Sequence, residues 1–324
     1  MLLDRRQWMK AAIASAIGGS AMASPHRGSR KPAAPSLGVQ LFMAEEQARR
    51  DLDATLDSIA QIGFTTVEVA GFCGQTPAAL GQAIRRAGLV CTSVHMQGRD
   101  RGDDAPHLDR PVQALIEDAH DLGAARIVLA SFLFPDDAPT RAPNERLAAY
   151  VARIGNVMDA NAWRRNADRL NRLGAQLARA DIHIGYHNHN AEFAPLADGG
   201  TGMDILLRET DPALVEFEMD AGWVAAAGKD PITLLRSHPG RFRQMHVKNV
   251  ARAMQSNFAF RQTSAPLDNG AIDWRALLDA ARTNSVCNLY IEQDPPYSED
   301  PLHILRRNHD YLAPLMARSA SDAS

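Results

Sequence analysis

Four stretches of the chain end on side chains that bind divalent metals. Each is a short apolar or β-prone run, and the four runs finish in His187, Asp220, His246 and Glu292. Imidazole nitrogen and carboxylate oxygen atoms together suit a Mn, Mg, Co or Zn ion. Because each ligand type ends its own run, the pattern predicts one shared metal site that includes Asp220, His246 and Glu292.

The first of these runs leaves two candidates for the fourth ligand. His187 and His189 share one face of a strand by its period of two, and Glu192 follows at the start of a loop. Either His187 or Glu192 could bind the ion, and the other would then contact the substrate or move a proton. A hydrogen-bonded network that only supports the site is the alternative interpretation.

Several other residues lie where they would border the same site. Glu68 and His95 stand at or near the ends of two earlier runs, and Lys248 lies two residues past a predicted ligand. The Lys248 ammonium group could hold a hydroxyl or a developing oxyanion, and Trp223 could offer an apolar platform to a sugar. The predicted substrate-binding residues are Glu68, His95, His189, Trp223 and Lys248.

Strand-like and helix-like segments alternate along the chain and must position these residues. The strand candidates are short and largely apolar, as expected of strands buried on both faces of a parallel sheet. They are Leu37–Phe42, Thr65–Ala70, Val90–His95, Arg126–Ala130, Ile182–His187, Val215–Asp220, Phe242–Lys248 and Leu289–Glu292.

An amphipathic helix is predicted over Gln47–Ile62, with Gly63 as its C-cap. Eight such units predict a single-domain α/β fold, a (β/α)8 TIM barrel, in preference to a doubly wound open sheet.

Two segments are longer than a minimal barrel requires. They cover residues 132–162 and 250–269, and each follows a strand candidate. In a barrel both segments fall at the C-terminal face, where active sites are built. We therefore expect both to border the predicted metal site.

Composition and charge exclude several classes of function. The chain has 324 residues, 45% of them hydrophobic and 23% charged, and a formal net charge of -3. This balance does not indicate the basic surface that binds nucleic acid or an anionic membrane. Cys73, Cys91 and Cys287 contain no CxxC pair, and an odd number cannot all pair within one chain, so no disulfide framework is expected.

The N-terminal residues have the pattern of an export signal. Arg5 and Arg6 precede the small apolar stretch 11–23, which ends in Ala21-Met22-Ala23. This pattern predicts a cleaved signal peptide, and the paired arginines are typical of twin-arginine export. The apolar stretch is too short to span a bilayer of about 30 Å. We expect a signal peptide at 1–23, a flexible leader at 24–35, the barrel at 36–317 and a disordered tail at 318–324, in a periplasmic or otherwise exported protein.

The motifs, taken in order, resemble the xylose-isomerase-like TIM-barrel superfamily of sugar phosphate isomerases and epimerases, which also contains AP endonuclease family 2. The resemblance covers about Leu37 to Leu312. It rests on Val67-Glu68, Val94-His95, Tyr186-His187-Asn188-His189, Asp220-x-Gly222-Trp223, His246-Val247-Lys248 and Ile291-Glu292-Gln293-Asp294. The resemblance implies one divalent ion, manganese being favoured, held by Asp220, His246 and Glu292. Many members have a glutamate where this chain has His187, so the fourth ligand is His187 or Glu192.

The same resemblance implies proton abstraction beside a sugar carbonyl, with Glu292, Glu192 and His187 as candidate catalytic residues. Epimerisation, isomerisation and elimination of a β-oxygen all start from this step, and the residues do not separate them. Export and the lack of a Gly-rich phosphate motif favour a free or oxidised keto-sugar over a phosphorylated one. The expected partner is this small molecule, and neither a nucleic-acid partner nor a membrane anchor after cleavage is expected. The sequence leaves open whether the chain forms a homo-oligomer.

Two other functions remain as alternatives. A non-catalytic periplasmic sugar-binding protein has no need for Asp220, His246 and Glu292 on one ion, so metal analysis separates it from an enzyme. A metal-dependent phosphodiesterase or endonuclease would need a multi-metal cluster with more histidine ligands and a basic groove for DNA. The sequence favours neither.

Overall fold

The computed structural model describes residues 34–100, 105–135 and 137–321. The predicted signal peptide 1–23, most of the predicted leader 24–35 and residues 322–324 of the predicted tail lie outside the described residues. Within the described part of the chain, no helix is long and apolar enough to cross a membrane.

Eight parallel strands close into a barrel, in which neighbouring strands follow chain order and the last strand pairs with the first. The barrel strands are β1 (Ser36–Gln40), β2 (Thr66–Val69), β3 (Val90–Met96), β4 (Arg126–Leu129), β5 (His183–His187), β6 (Val215–Asp220), β7 (Phe242–Val247) and β10 (Asn288–Ile291). A short antiparallel pair, β8 (Asn249–Val250) and β9 (Ser264–Ala265), lies in the loop after β7. The predicted single-domain TIM barrel is confirmed, and the bounds of each predicted strand are right to within two residues.

Helices follow the strands along the chain. They are α1 (Glu45–Arg50), α2 (Leu52–Ile62), α3 (Pro77–Arg86), α4 (Val112–Leu122), α5 (Leu147–Gly155), α6 (Ala160–Leu177), α7 (Gly202–Glu209), α8 (Ala221–Ala226), α9 (Pro231–Ser237), α10 (Trp274–Thr283) and α11 (Pro301–Ser321). Side-chain caps set several of their starts: Thr76 accepts from Ala79 N, and Asp159 accepts from Ala162 N. Helix α11 continues to Ser321, although a tail was expected from residue 318.

Two local features differ from the sequence pattern, and an aspartate causes each. The helix predicted over Gln47–Ile62 is broken at Asp51, whose backbone is extended and whose side chain caps α2 by accepting from Ala54 N. Helix α8 was not predicted. Asp220 starts it, because its Oδ1 accepts a 2.8 Å hydrogen bond from Trp223 N. This bond fixes one carboxylate oxygen of Asp220 and leaves the other available to the barrel mouth.

The barrel interior beneath its C-terminal end is polar, whereas branched apolar side chains usually fill this space. Glu68, Ser93, Glu218 and Gln244 are all buried there. Gln244 Nε2 donates to Glu218 Oε1 at 2.7 Å, and Gln40 Nε2 donates to Glu68 Oε1 at 2.9 Å. Buried carboxylates are costly unless they are paired or coordinated. This part of the interior therefore serves the site above it as well as the packing of the strands.

Candidate active site

A cavity of about 1080 Å³ opens at the C-terminal ends of the barrel strands. Its lining includes strand-end residues, among them His95, His187 and Glu292, together with Leu147 and Val151 of α5. Residues 253–257 and 260–263 of the loop after β7 complete the wall. Both long segments predicted to border the site therefore do so. Small-molecule pockets usually measure about 300–1,000 Å³, so the cavity has room for a sugar.

Three side chains expected to provide metal ligands, Asp220, His246 and Glu292, meet at one place, and His187 lies beside Asp220. His246 Nδ1 lies 2.8 Å from Glu292 Oε2 and 3.9 Å from Asp220 Oδ2. His187 Nε2 lies 3.8 Å from the same Asp220 oxygen. The ligand atoms of Asp220, His246 and Glu292 all lie within 4.8 Å of one another. One ion with bond lengths of about 2.0–2.3 Å can bridge atoms at this spacing.

Two buried carboxylates orient the two imidazole rings. His187 Nδ1 lies 3.0 Å from Glu218 Oε2, and His246 Nε2 lies 2.7 Å from Glu68 Oε1. Each ring therefore directs one nitrogen to a carboxylate deeper in the barrel and its other nitrogen toward Asp220. Metal-binding histidines usually have this arrangement, in which the second nitrogen donates to a carboxylate and fixes the tautomer.

His95 adds a positive charge beside these rings. Its Nε2 lies 2.6 Å from Glu218 Oε2 and 3.1 Å from Glu68 Oε1, and its ring stacks on that of His246 with centroids 5.2 Å apart. Burial disfavours the charged imidazole, but Glu68 and Glu218 outweigh burial and raise the pKa of His95 to about 9. In the ion-free protein His95 is therefore an imidazolium at neutral pH.

Lys248 is buried among three carboxylates. Its Nζ lies 3.0 Å from Asp220 Oδ2, 2.6 Å from Glu292 Oε2 and 3.0 Å from Asp294 Oδ1. Burial opposes the charge, but these carboxylates outweigh it and raise the pKa of Lys248 well above its usual value. Burial also acts against the ionised form of Glu292, yet Lys248 and His246 hold the pKa of that carboxyl well below its usual range.

An aromatic wall stands beside the charged cluster. The ring of His189 lies 5.2 Å from that of Trp223 and 4.9 Å from that of Phe260. Burial lowers the pKa of His189 well below its usual value, so the imidazole is neutral at neutral pH. Its Nδ1 is buried and has no hydrogen-bond partner among the described residues. The wall can pack on the C–H face of a sugar, while a ring nitrogen meets a hydroxyl group.

Glu192 and Glu68 do not line the cavity. Glu192 is buried and accepts a 2.8 Å hydrogen bond from the Tyr186 hydroxyl, and burial raises its pKa to about 7. Glu68 lies deeper, against His246 and His95. The structure therefore brings His187 close to Asp220 and directs the Glu192 carboxylate to Tyr186.

Sequence reasoning missed Glu218 and Phe260. Glu218 lies two residues before Asp220, so the strand period of two places both on the inner face of β6, and this signal could have identified it. Phe260 lies in an irregular loop with a positive φ of 51°. No periodic pattern marks such a position.

The charges of the cluster fit a divalent cation. Five carboxylates meet one lysine and the His95 imidazolium there: Glu68, Glu218, Asp220, Glu292 and Asp294, with Lys248 and His95. Burial raises the pKa of Asp220 to about 6. Its Oδ2 makes no hydrogen bond of good geometry, although Lys248 Nζ is 3.0 Å away. An excess of carboxylates, one buried oxygen without a hydrogen bond and two oriented imidazoles suit a divalent ion with nitrogen and oxygen ligands.

Two curated relatives are dehydratases by name. An inosose dehydratase of Geobacillus thermodenitrificans is 31% identical over 176 residues, which make up 48% of this chain and 55% of that protein. Inosose dehydratase 2 of Bacillus cereus is 24% identical over 243 residues, or 71% of this chain and 74% of that protein. The matched part of the chain thus spans about half the length of the first relative.

Solved structures share the fold at low identity. A sugar phosphate isomerase/epimerase from Parabacteroides distasonis has a TM-score of 0.67 and 20% identity, covering 87% of this chain and 99% of that one. A xylose isomerase-like TIM barrel protein from Mycobacterium smegmatis, in complex with magnesium, has a TM-score of 0.58 and 14% identity, covering 89% of this chain and 98% of that one. These likenesses concern the fold alone.

The match to a family extends over most of the barrel. The family described as "Xylose isomerase-like TIM barrel" matches residues 56–314, which include every strand from β2 to β10 and the whole charged cluster. The chain therefore belongs to the xylose isomerase-like TIM barrel family.

Proposed function

We propose that this protein is a divalent-metal-dependent enzyme that removes a proton from the carbon beside the carbonyl of a keto-sugar. The observation that carries the proposal is the convergence of Asp220, His246 and Glu292 on one place at the barrel mouth, with His187 Nε2 3.8 Å from Asp220 Oδ2. Two imidazoles that other carboxylates orient toward a pair of buried carboxylates are the usual arrangement of metal ligands.

The proposed ligands are Asp220 Oδ2, His246 Nδ1, a carboxylate oxygen of Glu292 and His187 Nε2. His187 is preferred to Glu192 as the fourth ligand because its Nε2 lies 3.8 Å from Asp220 Oδ2. Two imidazoles and two carboxylates favour manganese, cobalt or zinc over magnesium. When bound, such an ion supplies a Lewis acid that stabilises negative charge on a carbonyl oxygen.

Glu292 is the proposed base. It lines the cavity, and its contacts with Lys248 and His246 keep it ionised. His189 would accept a hydrogen bond from a substrate hydroxyl, and Trp223 would pack on one face of the sugar ring. His95 lines the same cavity and would contact the polar groups of the sugar.

Elimination of water is the proposed outcome. Epimerisation requires proton delivery to the face opposite the base, and since the carboxylates lining the cavity within the described residues, Glu292 and Asp294, both follow β10, a histidine would have to deliver that proton. The names of the curated relatives also describe dehydratases. Isomerisation and epimerisation are the alternatives, and the experiment described below separates both from elimination.

An unphosphorylated substrate is proposed because the cavity offers little charge for a phosphate. Apart from histidines, the basic residues lining it within the described chain are Lys248 and Arg261, and three carboxylates already contact Lys248. Phosphate sites usually present an arginine cluster or several backbone N–H groups.

The test uses chelator-treated protein reloaded with manganese and incubated in heavy water with a panel of keto-sugars. Proton NMR would report C–H exchange beside the carbonyl, and mass spectrometry would separate loss of water from isomerisation. Glu292→Gln should abolish exchange, whereas Lys229→Met, at an exposed lysine, should retain it. Wild-type protein that neither exchanges a C–H nor eliminates water on any keto-sugar would refute the proposal.

A further inference from the structure

The ammonium group of Lys248 contacts the same oxygens that the proposed ion would use. Its Nζ lies 3.0 Å from Asp220 Oδ2 and 2.6 Å from Glu292 Oε2. The lysine side chain is 2% exposed, whereas Lys229, the other lysine among the described residues, is exposed. A positive charge at this place offsets the negative charge of these two buried carboxylates.

The stem of Lys248 packs closely against Gly222, which leaves the terminal torsions as the simplest way for its ammonium group to move. A Cβ atom on Gly222 would lie 2.7 Å from Lys248 Cγ and 3.1 Å from its Cδ, so only a glycine leaves room for the stem. The Trp223 ring lies 5.6 Å from Nζ. These contacts give the Gly222-Trp223 pair that follows Asp220 a physical role, which is to hold the lysine in the site.

Asp294 provides a second position for the ammonium group. Its Oδ1 accepts a 3.0 Å hydrogen bond from Nζ, and its side chain is 25% exposed at the cavity. A small rotation would therefore move the charge away from Asp220 and Glu292 without leaving it unpaired.

We infer that Lys248 is a built-in competitor of the divalent ion, which binds only when the ammonium group withdraws to Asp294. The inference rests on the metal site of the proposed function. A divalent ion and an ammonium group about 3–4 Å apart repel one another strongly in a buried site. Lys248 thus keeps the ion-free barrel neutralised and makes ion binding weaker and more reversible than the ligand set alone would allow.

Isothermal titration of the full-length protein with manganese and zinc tests this inference. Lys248→Met keeps the stem and removes the charge, so its ion affinity should be about tenfold or more higher than that of wild type. Lys229→Met removes an exposed charge and should bind like wild type. An affinity of Lys248→Met equal to or below that of wild type would overturn the inference.

A second variant keeps the test decisive if Lys248→Met folds poorly. Asp294→Asn removes the alternative position of the ammonium group and should weaken ion binding in the wild-type background. In the Lys248→Met background the same change should have a much smaller effect, because no ammonium group needs a new partner. Unchanged or tighter binding by Asp294→Asn would contradict the inference.

If neither the wild-type protein nor any variant bound an ion, the metal site itself would be refuted and the inference with it. Equal binding by all variants would refute only the role of Lys248.

Discussion

A single oxygen of Glu218 contacts three histidines. Its Oε2 lies 2.6 Å from His95 Nε2, 3.0 Å from His187 Nδ1 and 3.2 Å from His246 Nε2. These ligand-type atoms also lie within 4.8 Å of one another, but hydrogen bonding already accounts for their proximity. We therefore interpret Glu218 as a positioning residue that fixes the orientation of the three rings.

Glu218→Gln should lower divalent-ion affinity about 10- to 100-fold, the usual cost of removing a carboxylate that orients a ligand. The amide replaces an oxygen that orients His187, so this ring loses its fixed tautomer. Titration calorimetry with manganese measures the effect. Glu216→Gln, on the same strand but paired with Arg126 at 2.7 Å, is the matched control. An equal loss of affinity in both variants would show that the effect is not specific to the histidines.

Side-chain types at strand ends predicted which residues meet. Asp220, His246 and Glu292 were each named from the sequence, and the barrel brings them together, with His187 next to Asp220. The direction of a loop side chain could not be predicted in the same way. Glu192 lies in a turn after β5, where no strand period applies, and its carboxylate is directed to Tyr186.

At the scale of helices and strands, continuous apolar runs predicted strand positions well, and local capping caused the failures. The break at Asp51 and the start of α8 at Asp220 both depend on a carboxylate that accepts a backbone N–H. Helix α8 has only six residues, too few for a helical period to appear in the sequence. Its residues instead place Gly222 and Trp223 around Lys248.

The packing of α6 against α7 depends on a glycine that faces an indole ring. A Cβ on Gly202 would lie 2.2 Å from Trp163 Cε2 and 2.5 Å from its Cδ2, and Trp163 is buried. Gly202→Ala should therefore lower the free energy of unfolding by about 1–3 kcal/mol, the usual cost of overpacking. Denaturant unfolding followed by tryptophan fluorescence measures the change.

Gly155→Ala is the matched control for Gly202→Ala. Its new Cβ would lie 3.2 Å from the Ala191 Cβ and 3.5 Å from the Phe132 ring, and alanine favours a helix more than glycine does. We expect a much smaller loss of stability. If both variants lost the same stability, the contact between Gly202 and Trp163 would not be the cause.

At the scale of the whole molecule, a formal net charge of -3 conceals a strong concentration of acidic groups in the barrel. Composition gave no sign of this concentration, because basic residues on the surface offset the buried carboxylates in the net charge. Closure of the sheet creates it by pairing β1 with β10 and directing strand ends from all sides to one point. An ion that binds this point should stabilise the entire fold.

Manganese should raise the melting temperature of the wild-type protein, and a chelator should reverse the effect. An ion at 100 times its Kd stabilises the folded state by about 2.7 kcal/mol. Asp220→Asn should lose this response, because it removes a ligand oxygen while the amide can still cap α8 through its oxygen. Asp57→Asn, at an exposed position of α2, should respond like wild type. Differential scanning calorimetry with and without the ion measures the shift, and a normal response from Asp220→Asn would argue against the proposed site.

The pH dependence of stability should carry the contribution of Glu192. Burial raises the pKa of this carboxyl from its ordinary value of 4.5 to about 7, although the Tyr186 hydroxyl acts to lower it. Between these two pH values the folded protein holds a proton that the unfolded chain releases. The free energy of unfolding therefore falls as pH rises from about 4.5 to 7, and the whole penalty is present above that window.

Glu192→Gln, which cannot ionise, should flatten this part of the profile in chelator-treated protein. Relative to wild type it should gain up to about 3 kcal/mol at pH 8, while the two proteins should differ little in this respect at pH 4. Tyr186→Phe removes the hydrogen bond that favours the ionised carboxylate, so its loss of stability should extend to higher pH. Urea unfolding at a series of pH values gives all three profiles. Parallel profiles for wild type and Glu192→Gln would mean that this buried carboxyl titrates normally and that the slope belongs to the charged cluster at the barrel mouth.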